Sequence, residues 1–243
     1  MTYCLGICID QGLVLASDSR TSAGVDYASV YSKMHVLQPG PDRLFVLLSA
    51  GNLALSQQLL CYLERDLAYP GAAGNLNSAR YLFEAAEYIG ATNLWIQNQH
   101  GPALRASGQA PEVTLILGGQ IGAEPPGLFI IYPQGNYMAA SAQTPFLQIG
   151  EIKYGKPMLD RVARFDMALE DAAQLSLVSL DAAARSNISV GPPYEVALYR
   201  RDGLALSQRF HFEGNDPFLS QLSGAWHSKV CDAFQQLPRF QWS

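Results

Sequence analysis

The chain is poor in charged residues. Asp, Glu, Lys and Arg make up 15% of its 243 residues, compared with about 25% in an average soluble protein. Lysine is the scarcest, with four copies: Lys33, Lys153, Lys156 and Lys229. So low a charge content predicts a surface that is either unusually neutral or partly covered by other subunits.

An excess of positive charge is also absent. The formal net charge is −5 and the sequence pI is about 5.3, whereas a nucleic-acid-binding domain typically carries a basic stripe. No apolar run reaches the ~18 residues that a membrane-spanning helix needs. The first residues lack the basic start, apolar stretch and cleavage site of a secretory signal. We therefore expect neither a nucleic-acid partner nor a membrane partner.

Cysteine is scarce as well, with four copies. Cys4 and Cys8 share one face of a predicted strand, and a rise of ~3.3 Å per residue separates them by roughly 13 Å. That separation excludes a disulfide or a shared metal ion between them. Reduced thiols are the simplest interpretation, and they predict a cytoplasmic location.

The sequence carries no metal or nucleotide signature. The four histidines are scattered, and no pair has the i, i+4 spacing of a metal site on a helix. The glycine-rich segment 118–122 follows a predicted strand, but no helix opens behind it, so we interpret it as a turn and not as a phosphate-binding loop. We expect no metal ion and no organic cofactor.

What the chain does have is a 49% share of hydrophobic residues, arranged with two different periods. Alternating β-rich runs predict strands at 2–9, 13–19, 33–37, 44–50, 113–118, 128–132, 137–140, 146–149, 195–200 and 205–212. Helical spacing predicts helices at 52–67, 77–97 (capped by Asn77 or Ser78), 156–165, 167–186 and from Asn215 or Asp216 to 235, with a loop at 100–111.

The order of these elements predicts an α+β fold. Pairs of helices between groups of hairpins indicate two antiparallel sheets packed together, with a helical layer outside each. We find no repeat and no linker. Residues 1–243 are therefore predicted to form one domain with a C-terminal helix at about 215–236.

The N-terminus holds a candidate nucleophile. Thr2 follows Met1 directly, and removal of Met1 would leave a threonine whose hydroxyl attacks while its own α-amine takes the proton. The ordinary pKa of an α-amine is about 7.7–8.0, so a neutral fraction exists at physiological pH. Asp18 ends the strand that pairs with the first, and Lys33 begins the next. Lys33 needs a partner in so apolar a chain, and Asp18 is the obvious one.

Two interpretations of this pair stay open at this point. A cation beside Thr2 would help its hydroxyl to lose a proton, but the pair could also be an ordinary ion pair at the edge of the core. The same holds for segment 49–52, Ser-Ala-Gly-Asn, where a predicted strand turns into a helix. The N–H groups near Gly51 could stabilise an oxyanion, or the glycine could serve the turn alone.

Taken together, these residues resemble the proteasome β-subunit family of N-terminal-nucleophile hydrolases, and above all its bacterial branch Anbu, the "ancestral β-subunit". The matching segments occur in family order from residue 2 to about 200: Thr2, ASDSRT at 16–21, KMHV at 33–36, SAGN at 49–52, IGE at 149–151 with YGKP at 154–157, and RSNISVGPP at 185–193. Five motifs in one order are fairly specific, and segment 185–193 looks like Anbu in particular.

The resemblance implies a four-layer αββα sandwich and assigns roles to individual residues. It implies Thr2 as the nucleophile, Asp18 and Lys33 as its activating pair, and Gly51 as the oxyanion donor. Thr21 and Ser49 would contact the substrate, which would pair with the chain at Thr21 as an added strand. The resemblance also implies self-assembly into a ring or an open helical homo-oligomer, and it leaves an ATP-driven unfolding partner open.

The sequence departs from the proteasomal pattern where proteasomal subunits place a serine and an aspartate that assist the threonine amine. Gly150 stands at the serine position and Ser186 at the aspartate position, while Ser189 keeps the family's second serine. Proton handling at the amine must therefore differ or be weaker. Glu151 could supply the missing carboxylate, or it could be a solvated loop glutamate.

These observations predict a threonine-type peptidase or amidase that hydrolyses peptide or amide bonds through Thr2. Two alternatives stay open. One is a non-catalytic assembly subunit that keeps the fold without the chemistry. The other is a small-substrate amidase or peptide-bond-forming enzyme of the same mechanistic class.

Overall fold

The computed structural model describes residues 2–22, 28–69 and 75–241. The strands are β1 (Tyr3–Ile9), β2 (Gly12–Asp18), β3 (Arg20–Ser22), β4 (Ala28–Val30), β5 (Met34–Gly40), β6 (Arg43–Gly51), β7 (Val113–Ile121), β8 (Gly127–Ile131), β9 (Tyr137–Ala139), β10 (Phe146–Gly150), β11 (Tyr194–Arg200) and β12 (Gln208–Phe212). The helices are α1 (Leu53–Leu67), α2 (Leu82–Ala106), α3 (Ile152–Val162), α4 (Leu169–Ser186) and α5 (Pro217–Gln235).

Two five-stranded antiparallel sheets form the centre of the fold. The first sheet has the order β10-β1-β2-β11-β12, and the second has the order β5-β6-β7-β8-β9. Strands β3 and β4, which the sequence did not predict, form a separate two-stranded sheet. The predicted α+β fold with antiparallel sheets is confirmed.

Three groups of buried apolar side chains hold the layers together. One joins the first sheet to α3 and α4, one joins the second sheet to α1 and α2, and the third lies between the sheets. Alternation along β1 shows the arrangement, because successive side chains of a strand point to opposite faces. Tyr3 and Leu5 face α3 and α4, whereas Cys4 faces the second sheet.

The boundaries of α2 differ from the prediction at both ends. Asn77 and Ser78 do not cap it, because their backbone N–H groups donate to the side chain of Asn75 in a separate turn. Tyr81 is the N-cap, without a side-chain hydrogen bond. The expected loop at 100–111 is wrong for its first half, since α2 continues through Pro102 to Ala106. A proline removes one helical donor, and the packing of this last part of α2 on the second sheet outweighs that loss.

Other boundaries also differ from the prediction. Segment 118–121 is not a turn but the second half of β7, and a Cβ on Gly119 would lie 2.3 Å from the Leu44 carbonyl oxygen of β6. Helix α3 begins at Ile152 and not at 156, and strand β12 begins at Gln208 and not at 205. Asp216 caps α5 by accepting a hydrogen bond from the Phe218 N–H at 2.8 Å.

No helix in the described ranges is both long and apolar enough to cross a membrane.

Candidate active site

Five of the predicted site residues line one small cleft between the sheets and the start of α1. The cleft encloses about 30 Å³. Its lining consists of Thr2, Thr21, Lys33, Ser49, Ala50, Gly51, Leu53 and Ser56. Strand β1 begins directly after Thr2, β6 ends at Gly51, and β5 begins directly after Lys33. The topology therefore brings the N-terminus and two distant strand ends to one place.

Asp18 and Lys33 form the predicted ion pair behind this cleft. The Lys33 Nζ lies 2.6 Å from Asp18 Oδ1, and the Asp18 side chain is fully buried while that of Lys33 is 5% exposed. The same Nζ donates to the backbone carbonyl of Arg20 at 2.6 Å. Because both charges are withdrawn from water, each depends on the other.

The peptide group between Thr2 and Tyr3 is held on both sides. Its N–H, from Tyr3, donates to Asp18 Oδ1 at 3.0 Å. Its carbonyl, from Thr2, accepts from the Glu151 N–H at 2.7 Å. This second contact requires glycine at 150, where φ is +82° and a Cβ would lie 1.9 Å from the Thr2 carbonyl oxygen. Met1 itself lies outside the described residues.

Burial shapes the electrostatics of the site. It raises the pKa of the Asp18 carboxyl above its ordinary value, and the Lys33 ammonium and the N–H groups of Tyr3 and Gly191 oppose that rise. Burial also raises the pKa of the Tyr3 hydroxyl to about 12. That hydroxyl hydrogen bonds to Ser179 Oγ at 2.7 Å and accepts from Gln148 Nε2. Tyr3 therefore ties β1 to α4 in a neutral form.

Gly51 forms the turn between β6 and α1. Its φ is +117°, and a Cβ there would lie 2.1 Å from the Glu112 carbonyl oxygen. The next residue, Asn52, caps α1 by accepting a hydrogen bond from the Leu55 N–H at 3.2 Å. Glycine is thus required by the backbone path itself, and the start of a helix is a favourable place for an anionic oxygen.

Thr21 belongs to β3, where it pairs with Ser29 of β4. Its Oγ1 is buried and has no hydrogen-bond partner among the described residues. Ser49, at the other side of the cleft, accepts at its carbonyl from the Cys4 thiol at 3.7 Å and donates its N–H to the Lys33 carbonyl at 3.1 Å. These contacts fix the end of β6 against the start of β5.

Ser186 and Ser189 do not line the cleft. Ser186 is the exposed last residue of α4, and Ser189 donates its N–H to Asn187 Oδ1 at 2.9 Å. Sequence reasoning missed two residues of the same segment. Asn187 Nδ2 donates to Glu151 Oε2 at 2.8 Å, and the Gly191 N–H donates to Asp18 Oδ2 at 3.3 Å. Their only signal was their position inside the motif 185–193.

The interpretation of Glu151 as a solvated loop glutamate is wrong. Glu151 is 8% exposed and stands at the junction of β10 and α3, at the N-cap position. Its side chain makes no capping hydrogen bond and contacts Asn187 instead.

The described part of the chain holds no group of three or more His, Cys, Asp or Glu that could bind a metal ion. The cleft and the residues behind it present a hydroxyl, an ammonium–carboxylate pair and backbone donors.

Comparison with models of known protein families and with curated proteins gave no match, whereas solved structures match over the full length. A mutant of Anbu from Hyphomicrobium sp. strain MC1 is 39% identical, covers 100% of both chains and superposes with a TM-score of 0.92. Anbu (ancestral beta-subunit) from Yersinia bercovieri is 39% identical over 100% of both chains, with a TM-score of 0.90.

A third solved structure has been described as a helical assembly of the Anbu complex from Pseudomonas aeruginosa. Its chain is 38% identical, the match covers 99% of this chain and 98% of that one, and the TM-score is 0.91. Identity of this order over the whole length, together with the same fold, establishes the relationship. The chain belongs to the Anbu (ancestral β-subunit) family, whose fold is that of the proteasome-related N-terminal-nucleophile hydrolases.

Proposed function

We propose that this protein is a threonine-type peptidase or amidase subunit that hydrolyses peptide or amide bonds. One observation carries the proposal: the buried Lys33–Asp18 pair adjoins the same cleft as Thr2, the first residue after Met1. A buried ion pair alone does not indicate a function, because structural ion pairs have the same electrostatic features. In a member of this family, however, the pair lies beside the Thr2 hydroxyl and the start of α1, where it can help that hydroxyl to lose its proton.

The mechanism begins with the removal of Met1, which frees the α-amine of Thr2. The hydroxyl then attacks the substrate carbonyl, and the α-amine takes its proton. The ammonium of Lys33 favours the ionised hydroxyl, and Asp18 holds that ammonium in place. The Gly51 N–H stabilises the oxyanion, a contribution that is typically worth ~10²–10³ in rate. The tetrahedral intermediate then collapses: the C–N bond breaks, the α-ammonium of Thr2 gives its proton to the leaving amine, and an ester remains on Thr2. A water molecule finally hydrolyses this ester, which releases the carboxylic acid product and restores the Thr2 hydroxyl.

The substrate lies along β3 as an added strand, with Thr21 on one side of the cleft and Ser49 on the other. An edge strand offers unpaired backbone groups to an extended peptide. This mode of binding suits a peptide or protein substrate more than a compact small molecule.

We further propose that the protein self-assembles into a ring or an open helical homo-oligomer, with residues 1–243 folded as one cytoplasmic domain. The surface of α5 and the residues after it supports assembly, because residues 227–241 are all exposed and include large apolar side chains: Val230, Phe234, Leu237 and Phe240. In proteins most of the stability of a helix comes from tertiary packing of its apolar face. A second copy of the chain is the occupant we propose, and the helical assembly of the Pseudomonas aeruginosa relative agrees with it.

Mass spectrometry of the native protein tests the first step, and we expect the mass of the chain without Met1. Retention of Met1 in all molecules would exclude the proposed mechanism. Turnover of fluorogenic peptides tests the chemistry. Thr2→Ala and Lys33→Ala should lose essentially all activity, while the matched surface variants Thr144→Ala and Lys156→Ala should keep it. Equal activity in all five proteins would identify a contaminant.

A covalent probe for N-terminal threonine separates the enzyme from a non-catalytic assembly subunit. Labelling at Thr2, absent in Lys33→Ala, supports the enzyme, and no labelling of the wild type supports the assembly subunit. A panel of small amides beside unfolded proteins then tests the substrate class. Turnover confined to the small amides would replace the peptidase with a small-substrate amidase.

A further inference from the structure

Glu151 is a buried carboxylate in direct backbone contact with the proposed nucleophile. Its N–H donates to the Thr2 carbonyl at 2.7 Å, and only 8% of the residue is exposed. Its side chain does not cap α3, the helix that begins at the next residue. The backbone of Glu151 therefore lies at the N-terminal end of β1, and its carboxylate is not engaged in capping α3.

This carboxylate has no cationic partner among the described residues. None of the salt bridges of the described residues includes Glu151, and its one side-chain hydrogen bond comes from the neutral amide of Asn187. Burying a carboxylate is costly unless it is paired and hydrogen bonded. A cation that forms beside Glu151 would offset that free-energy cost.

Asn187 fixes the direction of the Glu151 carboxylate. The amide oxygen of Asn187 accepts from the Ser189 N–H at 2.9 Å, so its Nδ2 is left to donate to Glu151 Oε2 at 2.8 Å. The loop after Asn187 also supplies the Gly191 N–H that donates to Asp18. Glu151 and Asn187 thus link the backbone that holds Thr2 to the loop that holds Asp18.

We propose that the Glu151 carboxylate, held by Asn187, accepts a hydrogen bond from the α-ammonium group of Thr2 once Met1 has been removed. This inference rests on the proposed function, because it needs a free Thr2 α-amine. Glu151 and Asn187 then take the place of the assisting serine and aspartate that the motifs lack at Gly150 and Ser186. Glu151 supplies the charge, and Asn187 is the positioning residue.

Other charged groups near this end of β1 in the described residues have their own partners. Glu195 pairs with Arg209. Asp18 and Lys33 neutralise each other, and the Arg20 guanidinium from β3 donates to the Ile188 and Val190 carbonyls. Glu151 is thus the carboxylate whose charge has no partner here. A carboxylate beside an ammonium favours the charged form, so under this proposal Glu151 raises the α-amine pKa above its ordinary 7.7–8.0. A smaller fraction of the amine is then neutral at physiological pH, but that fraction is a stronger base toward the Thr2 hydroxyl proton.

The test measures this α-amine pKa directly, from the pH dependence of acylation of the Thr2 amine followed by mass spectrometry. In Glu151→Gln, which keeps the shape and an acceptor for Asn187, we expect the pKa to fall by about one unit. Asn187→Ala should lower it by a smaller amount. The control is Glu124→Gln, an exposed residue of the β7–β8 connection, which should titrate like the wild type.

An α-amine pKa that is unchanged in Glu151→Gln overturns the inference. If the pKa falls in Glu151→Gln but is unchanged in Asn187→Ala, the positioning role of Asn187 is overturned. If Glu151→Gln does not fold, Asn187→Ala alone decides, and an unchanged pKa there overturns the inference. The measurement needs no hydrolytic activity, so its result does not depend on turnover. Should native material retain Met1, which would contradict the proposed function, Thr2 can be freed from a cleavable N-terminal fusion for the same titration.

Discussion

Lys33 Nζ lies 2.6 Å from Asp18 Oδ1, and one oxygen of Asp18 serves both this ammonium and the N–H of the residue after the proposed nucleophile. The pair therefore has two functions that can be separated. It neutralises two buried charges, and it orients the backbone at the N-terminus. Its loss should affect the stability of the fold as well as the chemistry of the cleft.

Lys33→Ala should lower the free energy of unfolding by about 3–5 kcal/mol, because it leaves the Asp18 carboxylate buried without its cation. Urea denaturation measures this change. Lys156→Ala is the matched control, since it breaks an exposed i, i+4 pair with Asp160 that is worth less than about 1 kcal/mol. Equal losses in the two variants would show that the buried pair has no special role in stability.

Gly150→Ala should displace Thr2 and abolish labelling of Thr2 by a covalent probe. The new Cβ would lie 1.9 Å from the Thr2 carbonyl oxygen at φ +82°, so backbone has to move. Gly108→Ala is the control that has the backbone strain without a steric clash, because Gly108 has φ +75° and open space around its Cβ position. We expect only the ~1–2 kcal/mol of a left-handed alanine there. Normal labelling in Gly150→Ala would contradict the described contact.

Tyr3→Phe should destabilise the protein by about 1–3 kcal/mol, because it removes the buried hydroxyl that contacts Ser179 and Gln148. Thermal or urea unfolding measures the effect. Tyr154→Phe, at a side chain that is 40% exposed, is the control and should change stability little. Unchanged stability in Tyr3→Phe would mean that Ser179 and Gln148 find other hydrogen-bond partners in the variant.

Acidification should destabilise the fold partly through His35. Burial lowers the pKa of His35. The charges of Glu195 and Glu64 oppose this shift, and the charge of Arg209 reinforces it. The unfolded chain therefore takes up a proton at His35 at a higher pH than the folded chain does. The stability that this creates is present above the ordinary pKa of about 6.5 and is lost as the pH falls.

Unfolding free energies at pH 7.5 and 5.5 check this sign. We expect the difference between the two pH values to shrink in His35→Gln and to persist in His100→Gln, whose residue is exposed. A larger difference in His35→Gln would reverse the assignment.

Phe234→Asp should reduce the mass of the particle in sedimentation velocity, because a carboxylate would enter the proposed contact between copies. Phe234 is 73% exposed in the single chain, so the substitution should leave the fold of the subunit intact, which circular dichroism can check. Gln236→Glu adds a charge nearby and controls for charge alone. A wild type that sediments as a monomer would contradict the proposed contact between copies at the apolar end of α5.

The fold was predictable from the sequence because hydrophobic periodicity reports burial. Strands such as β1 and helices such as α4 were recognisable on that basis, and they establish the layers. The end of α2 was not, since Pro102 and the glycines around it indicate a loop, and only packing against the second sheet overrides that preference. The same holds for β7, whose glycines permit close approach of β6 and do not form a turn.

The site was predictable where its residues have a chemical type that is rare in this chain. Lys33 is one of four lysines, and its need for a partner identified Asp18. Glu151 was identified only as one of two open interpretations, and Asn187 is an ordinary residue type whose contact with Glu151 joins segments 36 residues apart. Backbone contributions such as the Gly191 N–H leave no signature in side-chain chemistry, so they become visible only in three dimensions.

The two hydrogen bonds that hold the Thr2–Tyr3 peptide group have a consequence for the proposed removal of Met1. Both partners, the Asp18 carboxylate and the Glu151 N–H, belong to the chain after Thr2. Folding therefore orients the threonine irrespective of what precedes it. Under the proposed function, the chain that still carries Met1 already has the Lys33–Asp18 pair and the Gly51 turn in place, so removal of Met1 would change only the amine of Thr2.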